Sequence, residues 1–229
     1  IHVDVNIVDN DILDIEKFKN WRRVYKDSEF VLNDNGEYLC GYEVEKMSKS
    51  KHNVQTPDLL VEKFGADTLR LYEMFLGPLE QFKPWDAKGI NGVHNFLKKF
   101  WRLVHNQEGV FLVSEKTPSE SNYKTLHKTI KKVQEELERY SFNTVVSTFM
   151  ICVNELTEKK CNNREIISEF TILLSSYAPH IAEEIWEKLG NKNSVTEASF
   201  PVFDAKYLVE DKVNYPVSFN GKTRFQLEL

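Results

Sequence analysis

Cysteine, glycine and proline are all scarce in this sequence of 229 residues. Its three cysteines, Cys40, Cys152 and Cys161, are an odd number without a Cys-x-x-Cys pair, which argues against a zinc ribbon or a disulfide framework and indicates a reducing compartment. The six histidines form no His-Glu-x-x-His pair, so we expect no metal site. With only 9 glycines and 7 prolines, the chain is neither collagen-like nor of low complexity.

Long apolar runs and an excess of positive charge are also missing. The longest apolar stretch, Val145–Val153, is too short to span a membrane and contains Ser147 and Thr148. The net charge of -5 gives no indication of nucleic-acid binding through bulk charge, although it leaves room for a local basic face. The first residues, Ile-His-Val-Asp, include no signal segment. We expect a cytoplasmic piece of a longer protein.

Aromatic residues, in contrast, are plentiful, and 15 Phe, 9 Tyr and 4 Trp argue against intrinsic disorder. The first 45 residues mix patterns: apolar residues alternate at 3, 5 and 7 like a strand, and a polar turn at 33–36 predicts a hairpin. From Thr56 onwards the apolar spacing is helical, and four long helices joined by short loops predict an antiparallel bundle. The last residues return to strand alternation, with a turn at Asn220-Gly221.

These patterns predict a mainly α protein, a helical bundle with short β segments at both ends. We expect four segments: part of an insert over residues 1–45, a loop with connecting helices over 46–90, the bundle over 91–200, and the start of a β domain over 201–229. Asp67 is expected to cap the helix that runs to Leu76 and to pair with Arg70 on that same helix.

The polar loop Lys46–Ser50 carries the strongest indication of chemistry. Lys46 and Lys49 lie three positions apart with small hydroxyl residues beside them, so they can place two ammonium groups around one phosphate chain. Such groups neutralise the charge that develops on phosphate oxygens during a displacement, and a flexible loop can close once the nucleotide is bound. On charge alone, a solvated basic loop is the alternative interpretation.

The literal string Lys-Met-Ser-Lys-Ser at 46–50 is the signature of class I aminoacyl-tRNA synthetases. The sequence from residue 40 to 229 resembles the leucyl-tRNA synthetases of the bacterial type, and the strings that carry the resemblance follow in order at Gly65–Arg70, Gly92–Leu97, Phe142–Thr144, Ala178–Glu184 and Asn220–Arg224. Synthetases for valine, isoleucine and methionine share the loop and a similar bundle. The strings at Phe142, Ala178 and Asn220 favour leucine.

The resemblance implies an enzyme that activates leucine with Mg-bound ATP and transfers it to the 3′ end of tRNA-Leu. In that family Lys46 and Lys49 would be catalytic, because they would stabilise the pyrophosphate charge, and the ATP-binding loop would comprise Lys46, Met47, Ser48, Lys49 and Ser50. The family's other nucleotide motif, His-Ile-Gly-His, does not occur in this sequence. We therefore expect half of an ATP site, no metal site, and no aminoacylation by this chain alone.

The resemblance also assigns residues 46–90 to helices that contact the tRNA stem and residues 91–200 to a domain of the anticodon-binding type. One side of the predicted helix Gly92–His105 is polar and able to follow the tRNA phosphate backbone through Asn95, Lys98, Lys99 and Arg102. An ordinary solvated helix face is the alternative for this stripe.

A second basic stripe lies on the predicted helix Asn122–Tyr140. Its lysines are accompanied by glutamates, which favours pairing and solvation over ligand binding at Lys124, Lys128, Lys131 and Lys132.

Two other functions stay open at this point. The alternatives to a leucyl enzyme are the same region of a valyl- or isoleucyl-tRNA synthetase, which changes only the substrate, and a helical interaction scaffold without catalysis. A scaffold gives no reason for Met47 to lie between two basic residues ahead of a capped helix. In either synthetase we expect a monomer that contacts no membrane.

Overall fold

The computed structural model describes residues 1–86, 89–209, 214–219 and 222–228. In these ranges the chain forms eight α-helices and two small antiparallel sheets. The strands are β1 (Val8–Asp9), β2 (Ile12–Leu13), β3 (Asn214–Phe219) and β4 (Lys222–Glu228). The helices are α1 (Ile15–Trp21), α2 (Pro57–Phe64), α3 (Ala66–Phe75), α4 (Gly89–Leu103), α5 (Glu120–Glu138), α6 (Phe142–Glu158), α7 (Arg164–Ser175) and α8 (Pro179–Lys188).

Local sequence signals account for most helix boundaries. Helices α2 and α8 each begin with a proline at the first helical position, where the missing N–H has no partner to lose. Ser119 caps α5 by accepting a hydrogen bond from the amide of Asn122. Gly65, at φ 87°, separates α2 from α3 in a conformation that a side chain would disfavour.

Helices α3 to α8 share one hydrophobic core. Helix α5 packs on α6 and α7, α7 packs on α8, and α3 contacts α4, α6 and α8. At the centre, the ring of Phe170 meets Phe100 at 4.9 Å and Phe149 at 5.7 Å in edge-to-face arrangements, and all three side chains are fully buried. The predicted helical bundle is therefore confirmed, and α3 adds Leu71 and Tyr72 to its core.

Helix α4 begins at Gly89, one turn before the predicted Gly92. A methyl group added at Gly89 would lie 2.8 Å from the hydroxyl oxygen of Tyr72, so a larger residue there would require the buried Tyr72 side chain to shift. The same hydroxyl donates to the carbonyl of Asp86. Tyr72 of α3 therefore contacts both Asp86 and the start of α4.

The N-terminal segment, residues 1–53, differs from the strand and hairpin that the sequence predicts. Val5–Ile7 form a 3-10 turn and not a strand, because Asp4 accepts the amide of Asn6 and closes the turn locally. The predicted turn at residues 33–36 forms, but its two arms do not pair as strands. Instead Tyr38 accepts the amide of Leu13, so this arm adds to the β1–β2 edge.

At the other end, β3 and β4 pair in antiparallel register, with Val217 opposite Phe225 and an irregularity between Val217 and Ser218. Short β segments at both ends agree with the predicted fold class. The predicted Asn220-Gly221 turn lies outside the described residues. In the part of the chain that the structure describes, no helix combines the length and apolarity that crossing a membrane requires.

Candidate nucleotide-binding loop and nucleic-acid interface

The loop after residue 45 has a defined turn at its centre. Lys49–Lys51 form one 3-10 turn, in which the amide of Lys51 donates to the carbonyl of Ser48 at 3.1 Å. His52 then adopts a left-handed conformation, φ 57°, and ends the turn. The lack of hydrophobic periodicity predicts a loop but cannot predict this reversal of the chain.

Asn53 joins two parts of the loop from the inside. Its side-chain oxygen accepts the amide of Ser48 at 2.7 Å, and its side-chain nitrogen donates to the carbonyl of Lys46 at 3.3 Å. One half-buried side chain therefore fixes the backbone on both sides of Met47. The hydroxyls of Ser48 and Ser50 lie 3.2 Å apart on the same turn.

The three lysines of the loop are in different electrostatic situations. Lys51 donates to the carboxylate of Glu45 at 2.5 Å, and His2 contacts the other oxygen of that carboxylate at 2.8 Å. The hydrogen bond from Lys51, and then that from His2, lower the pKa of Glu45 below its ordinary value. Lys46 and Lys49 are exposed, and among the described residues neither ammonium group has an ion pair or hydrogen bond.

Residues earlier in the N-terminal segment support the end of the loop. The amide of Val5 donates to the carbonyl of His52 at 2.9 Å, and the guanidinium of Arg22 donates to His52 Nε2 at 2.5 Å. Arg22 also lies over the ring of Trp21, 4.4 Å from its centroid, while the His52 ring meets that ring edge-on at 4.9 Å. Because the guanidinium of Arg22 can only donate, His52 Nε2 is the acceptor in this contact.

On α4, the four predicted polar residues lie on one face but do not share one environment. Asn95, Lys98 and Arg102 are exposed. Lys99 is half-buried, and its ammonium group donates to Asn154 of α6 at 2.6 Å. Two cations and one amide therefore face solvent together, while the remaining lysine is tied to the neighbouring helix.

A shallow groove runs beside this face of α4. Phe64, Leu97, Trp101 and Ile181 form its apolar floor, and Lys98 stands at its edge. His94 also lines the groove, with Nδ1 3.2 Å from the hydroxyl of Thr68. Burial, and then the positive charge of Lys98, lower the pKa of His94, so the ring is neutral near pH 7.

Asp67 has a role that the sequence does not predict. The predicted cap of α3 and the pair with Arg70 are both wrong, because the Asp67 carboxylate points to the start of α8. There it accepts the amide of His180 at 3.2 Å, the amide of Ile181 at 2.7 Å, and His180 Nδ1 at 2.8 Å. Arg70 donates to the carbonyl of Ser176 at 3.1 Å.

A signal for this contact exists in the sequence. The residue before α8 is Ala178, which has no side-chain oxygen, so the free amides of the first turn require an acceptor from elsewhere. Asp67 and Arg70 together join α3 to the turn between α7 and α8. They hold the segment that follows the loop against the bundle.

Two lysines of the basic stripe on α5 pair with glutamates, as the sequence predicts. Lys132 contacts Glu136 at 2.6 Å and Lys131 contacts Glu135 at 3.9 Å, each one helical turn apart. Lys124 and Lys128 also take part in interactions. The described residues contain no cluster of three or more histidine, cysteine or acidic side chains that could hold a metal ion.

Comparison with known proteins gives one matching family model and many relatives. The model of the anticodon-binding domain of tRNA ligases matches residues 123–229. Leucine–tRNA ligases are 61% identical in Christiangramia forsetii over 230 residues, 58% in Phocaeicola vulgatus over 228 residues, and 59% in Flavobacterium johnsoniae over 230 residues. Each alignment covers 100% of this chain and 24% of the relative. The chain thus spans about a quarter of the length of these curated relatives.

Among solved structures, the chain is similar to a LeuRS from Agrobacterium radiobacter, crystallised as a ternary complex with tRNA and LeuAMS. The two share 25% of their residues with a TM-score of 0.64, over 80% of this chain and 26% of that one.

Proposed function

Because the chain belongs to the family of bacterial leucine–tRNA ligases, of which it forms one region, we propose that this region supplies the ATP-closing loop and a tRNA-binding surface to such an enzyme. The whole enzyme joins leucine to tRNA-Leu at the expense of ATP. The relatives compared with this chain are leucine–tRNA ligases. They therefore do not favour a valyl enzyme, an isoleucyl enzyme or a scaffold.

The proposed ATP role of the loop rests on the contrast among its lysines. Lys51 is already neutralised by Glu45, whereas Lys46 and Lys49 present unpaired ammonium groups from a braced backbone. A carboxylate oxygen of leucine attacks the α-phosphorus of ATP, and the bond to the β-phosphate oxygen breaks. The leaving pyrophosphate carries the developing negative charge, which Lys46 and Lys49 stabilise. Met47, Ser48 and Ser50 complete the ATP-binding loop.

The second half-reaction transfers the leucyl group to a ribose hydroxyl at the 3′ end of tRNA-Leu and releases AMP. In this chain the tRNA lies along α4, where Asn95, Lys98 and Arg102 contact phosphates. Lys99 belongs to the same surface, although its ammonium group already has a partner in Asn154. The neighbouring groove extends this surface towards α3 and α8.

The same proposal assigns roles along the chain: part of an insert over residues 1–45, the loop and stem-contact helices over 46–90, the anticodon-binding-type bundle over 91–200, and a β domain that starts at 201. The enzyme acts as a cytoplasmic monomer. It takes ATP as a magnesium complex, and the magnesium ligands are the phosphates and residues outside this chain.

The ATP step is tested in the full-length enzyme by leucine-dependent exchange of pyrophosphate into ATP. Lys49→Ala should lower kcat by about 100- to 1,000-fold, since it removes one stabilising donor from the transition state. Lys192→Ala is the matched control, because Lys192 is an exposed lysine beyond α8. Exchange by Lys49→Ala at the rate of this control would refute the ATP role.

The tRNA surface is tested separately, by measuring the dissociation constant of tRNA-Leu over a series of salt concentrations. The double variant Lys98→Ala/Arg102→Ala should lower the slope of log K against log salt by about 2, one unit for each lost phosphate contact. The matched control is Lys131→Ala/Lys132→Ala, whose lysines are paired on α5. An equal change of slope in both double variants would contradict a specific α4 surface.

A further inference from the structure

We infer that Asn53 is the positioning residue of the nucleotide loop: it sets the spacing of Lys46 and Lys49 before ATP arrives. This inference rests on the proposed ATP role of the loop. It starts from the geometry of one side chain, which touches neither lysine side chain but holds the backbone between them.

The two hydrogen bonds of Asn53 have opposite polarity and different targets. Its oxygen accepts from Ser48 N at 2.7 Å, one residue before Lys49, and its nitrogen donates to Lys46 O at 3.3 Å. The amide makes both bonds at once because its oxygen accepts and its nitrogen donates. Aspartate keeps the first bond and loses the second, and alanine loses both.

Asn53 can act as a fixed point because the residues before it are anchored. His52 is held by Val5 and Arg22, and Lys51 is held by Glu45. Lys51 and His52 are therefore fastened to residues earlier in the chain, while the side chains of Lys46 and Lys49 stay free. Asn53 is the described side chain that bridges from the fastened end to both Lys46 and Ser48.

The consequence is preorganisation of charge. Without the bridge, the Glu45–Lys51 pair remains, but the Ser48 amide and the Lys46 carbonyl lose their side-chain partner. The backbone around Lys46 and Lys49 is then less restricted, and the transition state must order it. A misplacement of about 1 Å from a site that does not touch the substrate can cost about 100-fold in rate. Loss of the bridge should therefore act on kcat and spare the binding of leucine.

The experiment measures leucine-dependent pyrophosphate exchange by the full-length enzyme. We expect Asn53→Ala to lower kcat about 10- to 100-fold with the KM for leucine unchanged, and Asn53→Asp to fall between it and the wild type. Asn20→Ala is the matched control, because the Asn20 amide makes one local bond to the Glu16 carbonyl in α1. The tRNA-Leu dissociation constant shows that each variant is folded.

Two results would overturn the inference. The first is kcat within twofold of wild type for both Asn53 variants while Lys49→Ala is inactive, which leaves the ATP role standing. The second concerns the double variant Lys49→Ala/Asn53→Ala. If its kcat falls below that of Lys49→Ala by the same factor that Asn53→Ala causes in the wild type, Asn53 acts independently of Lys49. Normal exchange by Lys49→Ala itself would instead refute the proposed function on which the inference rests.

Discussion

The bundle and the N-terminal segment are stabilised in different ways. Helices α3 to α8 bury a continuous aromatic and aliphatic core, in which Phe100, Phe149 and Phe170 have no exposed surface. In residues 1–53 only Leu13 and Phe18 are buried apolar residues, and side chains such as Val31, 92% exposed, and Tyr42, 85% exposed, lie at the surface. The segment is held by aromatic contacts around Phe18 and by hydrogen bonds and ion pairs, several of which reach the loop.

This difference matches the work proposed for each region. A packed core resists displacement because its side chains interdigitate, so it suits a rigid surface for a large ligand such as tRNA. A segment with little buried area opens at low free energy, so it suits a loop that must close on a nucleotide. Polar contacts restrict the loop to one arrangement without the rigidity of a core.

The largest expected effect on stability comes from removing one buried ring from the core. Phe100→Ala should lower the free energy of unfolding of the bundle by about 3–5 kcal/mol, because it removes a buried ring and leaves a cavity. Phe18→Ala removes the main buried ring of the N-terminal segment, and should speed amide exchange in residues 1–53 while leaving α4 to α8 protected. Hydrogen-exchange mass spectrometry measures both. Equal loss of protection in the bundle from Phe18→Ala would show that the two regions unfold together.

A smaller effect is expected at the contact between α3 and α8. Asp67→Ala should cost about 1–2 kcal/mol in urea denaturation, because two amides of the first turn of α8 lose their acceptor. Asp34→Ala, in the exposed turn of the N-terminal segment, is the control and should be neutral. Stability unchanged in Asp67→Ala would mean that water replaces the carboxylate at no cost.

The smallest effect concerns pH and the Glu45 contact. The pKa of Glu45 is lowered by Lys51 and His2, so the contact stabilises the loop above the ordinary carboxylate pKa and is lost as the pH falls through the lower folded value. The carboxyl chemical shift of Glu45, followed by NMR from pH 7 downwards, should titrate below the ordinary range of a glutamate carboxyl. Lys51→Met should return the titration of Glu45 towards that range. Titration of wild-type Glu45 within the ordinary range would contradict the contact with Lys51 and His2.

The bundle can be predicted from sequence because its signals are local and repeated. Apolar residues at helical spacing, proline at the starts of α2 and α8, and Ser119 before α5 each act within a few residues. The N-terminal segment is predicted poorly for the opposite reason. Its 3-10 turn depends on one Asp4 bond, and its second hairpin arm pairs with the β1–β2 edge and not with its neighbour in sequence.

The candidate site divides in the same way. The string at 46–50 and the polar face of α4 are properties of residue type and spacing, so the order of residues alone indicates them. The roles of Asn53, Glu45 and Arg22 escape prediction because each acts on a residue that periodicity does not connect to it. Spacing predicts that Lys99 belongs to the proposed tRNA surface, and only packing against α6 shows that its ammonium group has a partner.

By itself, the sequence determined the mainly helical class, the position of the loop and the family that the chain resembles, because these depend on composition, periodicity and literal strings. Tertiary structure alone decided which charges are free. Lys46 and Lys51 are the same residue type five positions apart, and the difference between them is a carboxylate that the folded chain brings to one and not to the other. Charge neutralisation depends on distance in space, which residue order does not specify.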